Sequence, residues 1–290
     1  ATARLSQSVV VIWSVIFFGI AWHSMFSTKP ALTAVPEGST LVTAGFRKLC
    51  VTFRKIYSHY PAIKWYLVVI AFANSALLTV KTVFVTFMGS VLNLTTTETG
   101  VTLLIVLFSC IPGSWISVKM QRLVNPKRSL QLVLLLWIFW VLAAAAFLRE
   151  PGKTFVTYIF GAFMGIIMGW FYPTERGFYA MMIPKKRDAE FMGIYIFATN
   201  IIGFFPPLIF SVMNEAGVPL AVNLATLGIY FLIGLLALSI FLPSYEESLS
   251  QANENLEDVM ATAETDDADV SEAPNSTTEG LGITVVVCEQ

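Results

Sequence analysis

Residues 65–88 read WYLVVIAFANSALLTVKTVFVTFM. Asn74, Lys81 and the hydroxyls of Ser75, Thr79, Thr82 and Thr86 interrupt a run that is otherwise apolar and aromatic. A helix needs about 20 residues to cross a hydrocarbon core about 30 Å thick, and this run is long enough. Lipid offers backbone N–H and C=O groups no partner, so a run of this kind must be helical. Six others resemble it, at 8–26, 101–118, 130–148, 155–172, 191–213 and 221–242. Hydrophobic residues make up 56% of the chain, which leaves too little polar sequence to wrap seven buried helices in a water-soluble domain. The chain therefore reads as an all-α polytopic membrane protein with seven transmembrane helices.

Basic residues set the orientation. The stretch 27–64 holds Lys29, Arg47, Lys48, Arg54, Lys55 and Lys64. The next alternate loop holds Lys119, Arg122, Lys127 and Arg128, and the one after it Arg176, Lys185, Lys186 and Arg187. The opposite loops hold only Arg4, Arg149 and Lys153. By the positive-inside rule the basic loops and the C-terminus face the cytoplasm.

The formal net charge of −1 hides an asymmetry. From Ser244 onward there are twelve acids and no Lys or Arg, whereas the body 1–243 sets eighteen basic residues against seven acids, a balance of +11. The balance suits loops near anionic lipid rather than nucleic acid. Four segments follow: a transmembrane helix at 1–26, a cytoplasmic linker at 27–64, a six-helix body at 65–243, and an acidic tail at 244–290 whose composition predicts disorder. Within the linker, Phe46, Leu49, Phe53, Ile56 and Tyr57 recur at helical spacing among Arg47, Lys48, Arg54 and Lys55. This predicts an amphipathic helix, lying either on the inner membrane surface or on the protein's own cytoplasmic face.

No catalytic or metal-binding pattern emerges. The two histidines, His23 and His59, lack Cys or carboxylate partners at ligand spacing. There is no G-x-S-x-G, H-E-x-x-H or P-loop. The three cysteines, Cys50, Cys110 and Cys288, form no disulfide framework. Neither an enzyme nor a cofactor is expected. No acid is expected inside a span: Glu98, Glu175 and Glu190 are placed at span ends, so any proton-carrying carboxyl is expected upstream of Ala1.

Several residues stand out. Lys81 is costly at membrane depth, about 2.5–3.5 kcal/mol on insertion scales. It either lines a solute pathway with Asn74, Ser75, Thr79, Thr82 and, from span six, Asn200, or reaches the outer interface or a helix C-terminus. Gly161, Gly165 and Gly169 form a doubled G-x-x-x-G for close helix packing. Gly203 with Pro206 and Pro207 predicts an interruption in span six, static or part of a gate. At the cytoplasmic helix ends, Glu175, Arg176, Asp188 and Glu190 are read as a charge latch, with plain topology signalling by the basic residues as the alternative.

The stretch 173–195, PTERGFYAMMIPKKRDAEFMGIY, carries a resemblance. It is similar to the loop of the autophagy-related vacuolar effluxer family within the major facilitator superfamily. Arg176, Phe178, Ala180, Ile183-Pro184 and the run Glu190 to Tyr195 stand where that family has its Arg, Phe-Ala-like pair, Ile-Pro and Glu-Phe-Phe-Gly-Leu-Tyr. Tyr60-Pro61 before the second span is also similar. Three departures accompany it. Asn74-Ser75 replaces an Asp-Gly pair, and Glu175-Arg176-Gly177 replaces Ser-Arg-Ser. Of the superfamily's gating motif only Gly113, Lys119, Lys127 and Arg128 survive, without an acid near Ser117.

The resemblance implies that the seven spans correspond to helices six to twelve of a twelve-helix transporter, so an N-terminal half is expected upstream. It implies secondary-active efflux of amino acids or similar small solutes, by alternating access, from a vacuole or other endomembrane compartment. The expected partners are the lipid bilayer and a small-molecule solute. The alternatives are a seven-helix receptor and a transporter-derived protein without transport activity.

Overall fold

A computed structural model describes residues 2–25, 45, 53–54, 56–57, 60–148, 152, 154–183, 188–247 and 250. The tail from 251 onward and most of the 27–64 linker, with Cys50, Cys288 and Lys185 to Arg187, lie outside them. Among the described residues every regular element is helical. Seven segments are long and apolar enough to cross a membrane, one for each run read from the sequence.

The chain forms two compact units, Ala1–Lys48 and Leu49–Gln290. The first holds α1 (Thr2–Met25). Its side chains from Val9 to Trp22 are largely exposed, as suits a helix surrounded by lipid.

The second unit holds α2 (Pro61–Ser90), α3 (Thr96–Val124), α4 (Pro126–Phe147), α5 (Thr154–Met182), α6 (Asp188–Ile201), α7 (Phe205–Glu215) and α8 (Leu220–Ile240). Helix α2 is central. It opens on Pro61, whose fixed φ and missing N–H suit a first helical turn. Tyr66, Ile70, Ala73, Leu77, Val80, Phe84 and Phe87 alternate spacings of four and three, and all are buried. Against that stripe lies α8, where Trp65 stacks on Phe241 at 4.3 Å, and Trp140 of α4 meets Phe84 edge-on at 5.6 Å. Trp137 stacks on Phe231 of α8 at 5.4 Å. Lys127, at the start of α4, donates to the carbonyls of Leu242 (2.8 Å) and Pro243 (3.1 Å) just past α8, where a cation complements the helix dipole. At the other membrane face Thr95 and Glu98 form a reciprocal capping box that starts α3.

The tightest contact joins α3 to α5, which run parallel. A Cβ added at Gly165 would stand 2.2 Å from the Val106 carbonyl oxygen, and one at Gly169 would stand 2.1 Å from that of Cys110. Gly113 returns the contact from α3, where a Cβ would lie 2.2 Å from the Ile166 oxygen. Backbone therefore meets backbone, and only glycine fits.

Two helices differ from the spans read in the sequence. Helix α5 does not end at Tyr172. It continues through Pro173 to Met182 because Phe178, Tyr179 and Met182 bury their rings and thioether against the bundle. Neighbouring helices make an interior proline tolerable in lipid. The sixth span divides into α6 and α7 around a turn at 202–204. Gly203 N–H donates to Asn200 O and Phe205 N–H to Ile202 O, both at 2.9 Å, so three-residue closures replace the helical ladder. Pro206 and Pro207 fall in the first turn of α7, where their missing N–H groups leave no bond unmade.

The α3–α5 contact makes a sharp prediction. Gly169→Ala should destabilise the detergent-solubilised protein by about 3 kcal/mol, the upper end for overpacking, because the obstacle is backbone. Gly228→Ala, where a Cβ meets nothing within 4 Å, should be neutral or slightly stabilising. Thermal unfolding of the two variants checks both.

Candidate functional site

Below the glycines α5 shows different faces to two neighbours. Thr174 turns to α3, where its hydroxyl pairs with that of Ser117 at 2.8 Å and Gln121 reaches Ser117 at 2.9 Å. Ser117 and Thr174 thus form a buried hydroxyl pair between α3 and α5. Tyr172, Glu175 and Tyr179 turn to α2.

The α2 side of the site is a line of three residues. Tyr66, Asn74 and Lys81 are eight and seven positions apart, so they share one helix face. Asn74 lies about 20 Å along a helix about 45 Å long, at 1.5 Å per residue, which puts it near the middle of that membrane-length helix. The Tyr66 hydroxyl donates to the backbone oxygen of Glu175 at 2.7 Å. The Asn74 side-chain amide donates to Glu175 Oε1 and to the Ile70 carbonyl. Lys81 Nζ donates to the Tyr172 hydroxyl at 3.0 Å. The Arg176 guanidinium lies 5.7 Å from the Tyr172 ring centroid, so one tyrosine serves both cations.

The site has an open side and a buried floor. Asn74, Lys81 and Tyr172 are half-buried and Arg176 is exposed. Beneath them Glu175 is 0% exposed, and its Oε2 has no hydrogen-bond partner. Tyr195 of α6 closes over this floor, its ring 4.9 Å from that of Tyr179, and its hydroxyl and Arg176 interact with the Glu175 carboxyl.

This arrangement corrects the sequence reading in two respects. Glu175 is not a charge at a cytoplasmic helix end, and the spans are not free of acids. Pro173 resembled a helix stop, but the helix runs on and carries the acid into the bundle. Arg176 meets Tyr172 and Glu175. Asp188 opens α6, its side chain outside the described residues, and Glu190 is half-buried.

The hydroxyl stripe of α2 does not act as a unit. Ser75 and Thr79 are buried, and each donates to the carbonyl four residues back, Ala71 and Ser75 respectively. Thr82 is exposed and bonds Leu78 O in the same way. Asn200 gives its amide to Ile196 O and Thr199 Oγ1 on its own helix. Gly203, Pro206 and Pro207 gather at the α6–α7 turn, and Gly161, Gly165 and Gly169 line the α3 contact.

Tyr66 and Tyr172 do not figure among the residues singled out from the sequence, and Tyr195 enters there only as the end of the run that begins at Glu190. The spacing of Tyr66 from Asn74, and of Tyr172 from Arg176 one turn on, was the available signal.

No curated protein matches the chain. The sequence profile of the family described as "Vacuole effluxer Atg22 like" matches residues 2–251, well over half of its length. With seven membrane-length segments and that match, the chain belongs to the vacuole effluxer Atg22-like family, a transporter family and not an enzyme class.

Proposed function

We propose that this protein takes part in secondary-active efflux of amino acids or similar zwitterionic solutes from a vacuole-type compartment, by alternating access. One observation carries the solute class: cations and a carboxyl meet at mid-membrane between α2 and α5. Lys81 and Arg176 can receive a carboxylate, and Glu175 and Asn74 can receive an ammonium group. Tyr172 and Glu175 lie three residues apart, about 4.5 Å along the helix axis, so both ends of a small zwitterion are within reach of one site. In this reading the spans correspond to helices six to twelve of a major facilitator transporter, and the fourteen basic loop residues and the C-terminus face the cytoplasm.

The α6–α7 turn supplies the moving part. A helix divided at mid-span can swing one half while the other stays packed, as broken helices do in many transporters. Helix α6 carries Tyr195, the cover of the buried floor, so a swing at 202–204 opens and closes the site.

Flux of labelled amino acids in vesicles bearing the full chain tests this. Lys81→Met should lower the rate about 10-fold to 100-fold, about 1.4–2.8 kcal/mol of lost stabilisation, with folding retained. An unchanged rate would remove Lys81 from the pathway. Pro206→Ala with Pro207→Ala lets the ladder extend across the turn. That pair should slow flux several-fold while leaving the melting temperature the same or higher, and a faster rate would count against a hinge there.

A further inference from the structure

Among the described residues Glu175 is the only acid that is buried. Its surroundings are specific. From α2, Asn74 donates to Oε1 and Tyr66 to the backbone oxygen. From α6, Tyr195 faces the carboxyl, and on α5 itself Arg176, Tyr172 and Tyr179 are the neighbouring ionisable groups. Lys81 stands one turn away behind Tyr172. The residues that α3 and α4 bring to this stretch of α5 are neutral: Ser117 and Gln121 reach Thr174, and Ser129 reaches Trp170.

The two oxygens are therefore unequal. Oε1 is held by a half-buried amide that borders the open side, whereas Oε2 is buried and unpartnered. A buried ionised carboxylate is costly unless it is paired, and the Asn74 amide and Tyr195 hydroxyl beside it are neutral groups, with Arg176 exposed at the rim. Adding a proton at Oε2 removes the charge and leaves the Asn74 bond to Oε1 intact. Losing it restores a carboxylate whose charge Arg176, one residue along and exposed, already faces, and which it can approach more closely once Tyr195 moves. Both forms thus have a structural partner, and the change between them needs only the α6 cover to shift.

We propose that Glu175 reversibly binds a proton at Oε2, within the membrane, as the α2–α5–α6 interface opens and closes. The step is a simple protonation: the carboxylate gains one proton from the compartment it faces and returns it on the other side. Resting on the transport reading above, this makes Glu175 the residue through which a proton accompanies the solute out of an acidic compartment.

Infrared difference spectra of the purified full-length protein, stepped between mildly acidic and mildly alkaline pH, test proton binding without any solute. A carboxylic C=O band should appear and vanish with pH, be lost in Glu175→Gln, and move in Glu175→Asp, which keeps an acid. If Glu175→Gln fails to fold, the displaced band of Glu175→Asp still makes the assignment. A difference spectrum that is the same in the variants and the wild type overturns the proposal. Vesicle assays with a pH-sensitive dye inside then separate the two readings. With coupling through Glu175, the Gln variant loses both solute accumulation driven by a pH gradient and solute-dependent proton movement, while Glu175→Asp, which keeps an acid, retains part of both. If gradient-driven accumulation persists in the Gln variant, coupling through Glu175 falls and transport stands. If the wild type moves no solute while its band titrates normally, the transport reading falls and the proton site stands.

Discussion

The bundle depends on how closely α3 and α5 approach. In lipid there is little hydrophobic force between helices, so association rests on packing and polar contacts. The α3–α5 pair achieves this packing by removing side chains: Gly113, Gly165 and Gly169 let carbonyl oxygens lie where a Cβ would otherwise be. That contact fixes the position of α5 along its upper half. Pro173 then removes one rung of the helical ladder without ending the helix, and the lower half turns Tyr172, Glu175 and Tyr179 toward α2. The site between α2 and α5 is thus set by two features that carry no polar group, a glycine row and a tolerated proline.

Polar groups at this depth divide into two kinds. Ser75, Thr79, Thr82 and Thr86 satisfy themselves by donating to the preceding turn of their own helix, which ends their demand on the surroundings. Asn74 and Lys81 cannot do so completely. An amide and an ammonium have more donors than one helix turn can accept, so they reach across to α5. Interhelical polar contacts consequently fall where donors are in surplus, and these are also the places able to exchange a partner for a solute.

The seven spans were legible because length and apolarity decide them and tertiary detail does not. Asn74 and Lys81 were legible as a pair because helical spacing alone puts them on one face. Glu175 was not. A proline two residues before an acid, with basic residues following, has the composition of a loop, and only the burial of Phe178, Tyr179 and Met182 keeps the helix going. The hydroxyl stripe was legible as a spacing and not as a set of contacts. Its spacing was read correctly, but spacing says nothing of whether a hydroxyl has already found a partner on its own backbone. The tyrosines were invisible because their role lies in contacts between helices far apart in sequence: Tyr66 with Glu175, and Tyr172 with Lys81.

The divided sixth span has a mechanical consequence. Helix α6, with 14 residues, and α7, with 11, are about 21 Å and about 17 Å long, so neither crosses the hydrocarbon alone. Continuous helices of 21 to 30 residues meet a change in bilayer thickness by tilting as rods. The jointed one can fold or straighten at 202–204 instead, at the cost of a few backbone bonds. The joint thus gives the bundle one element whose length across the membrane can change without tilting, and its angle sets how α6 lies over the buried carboxyl.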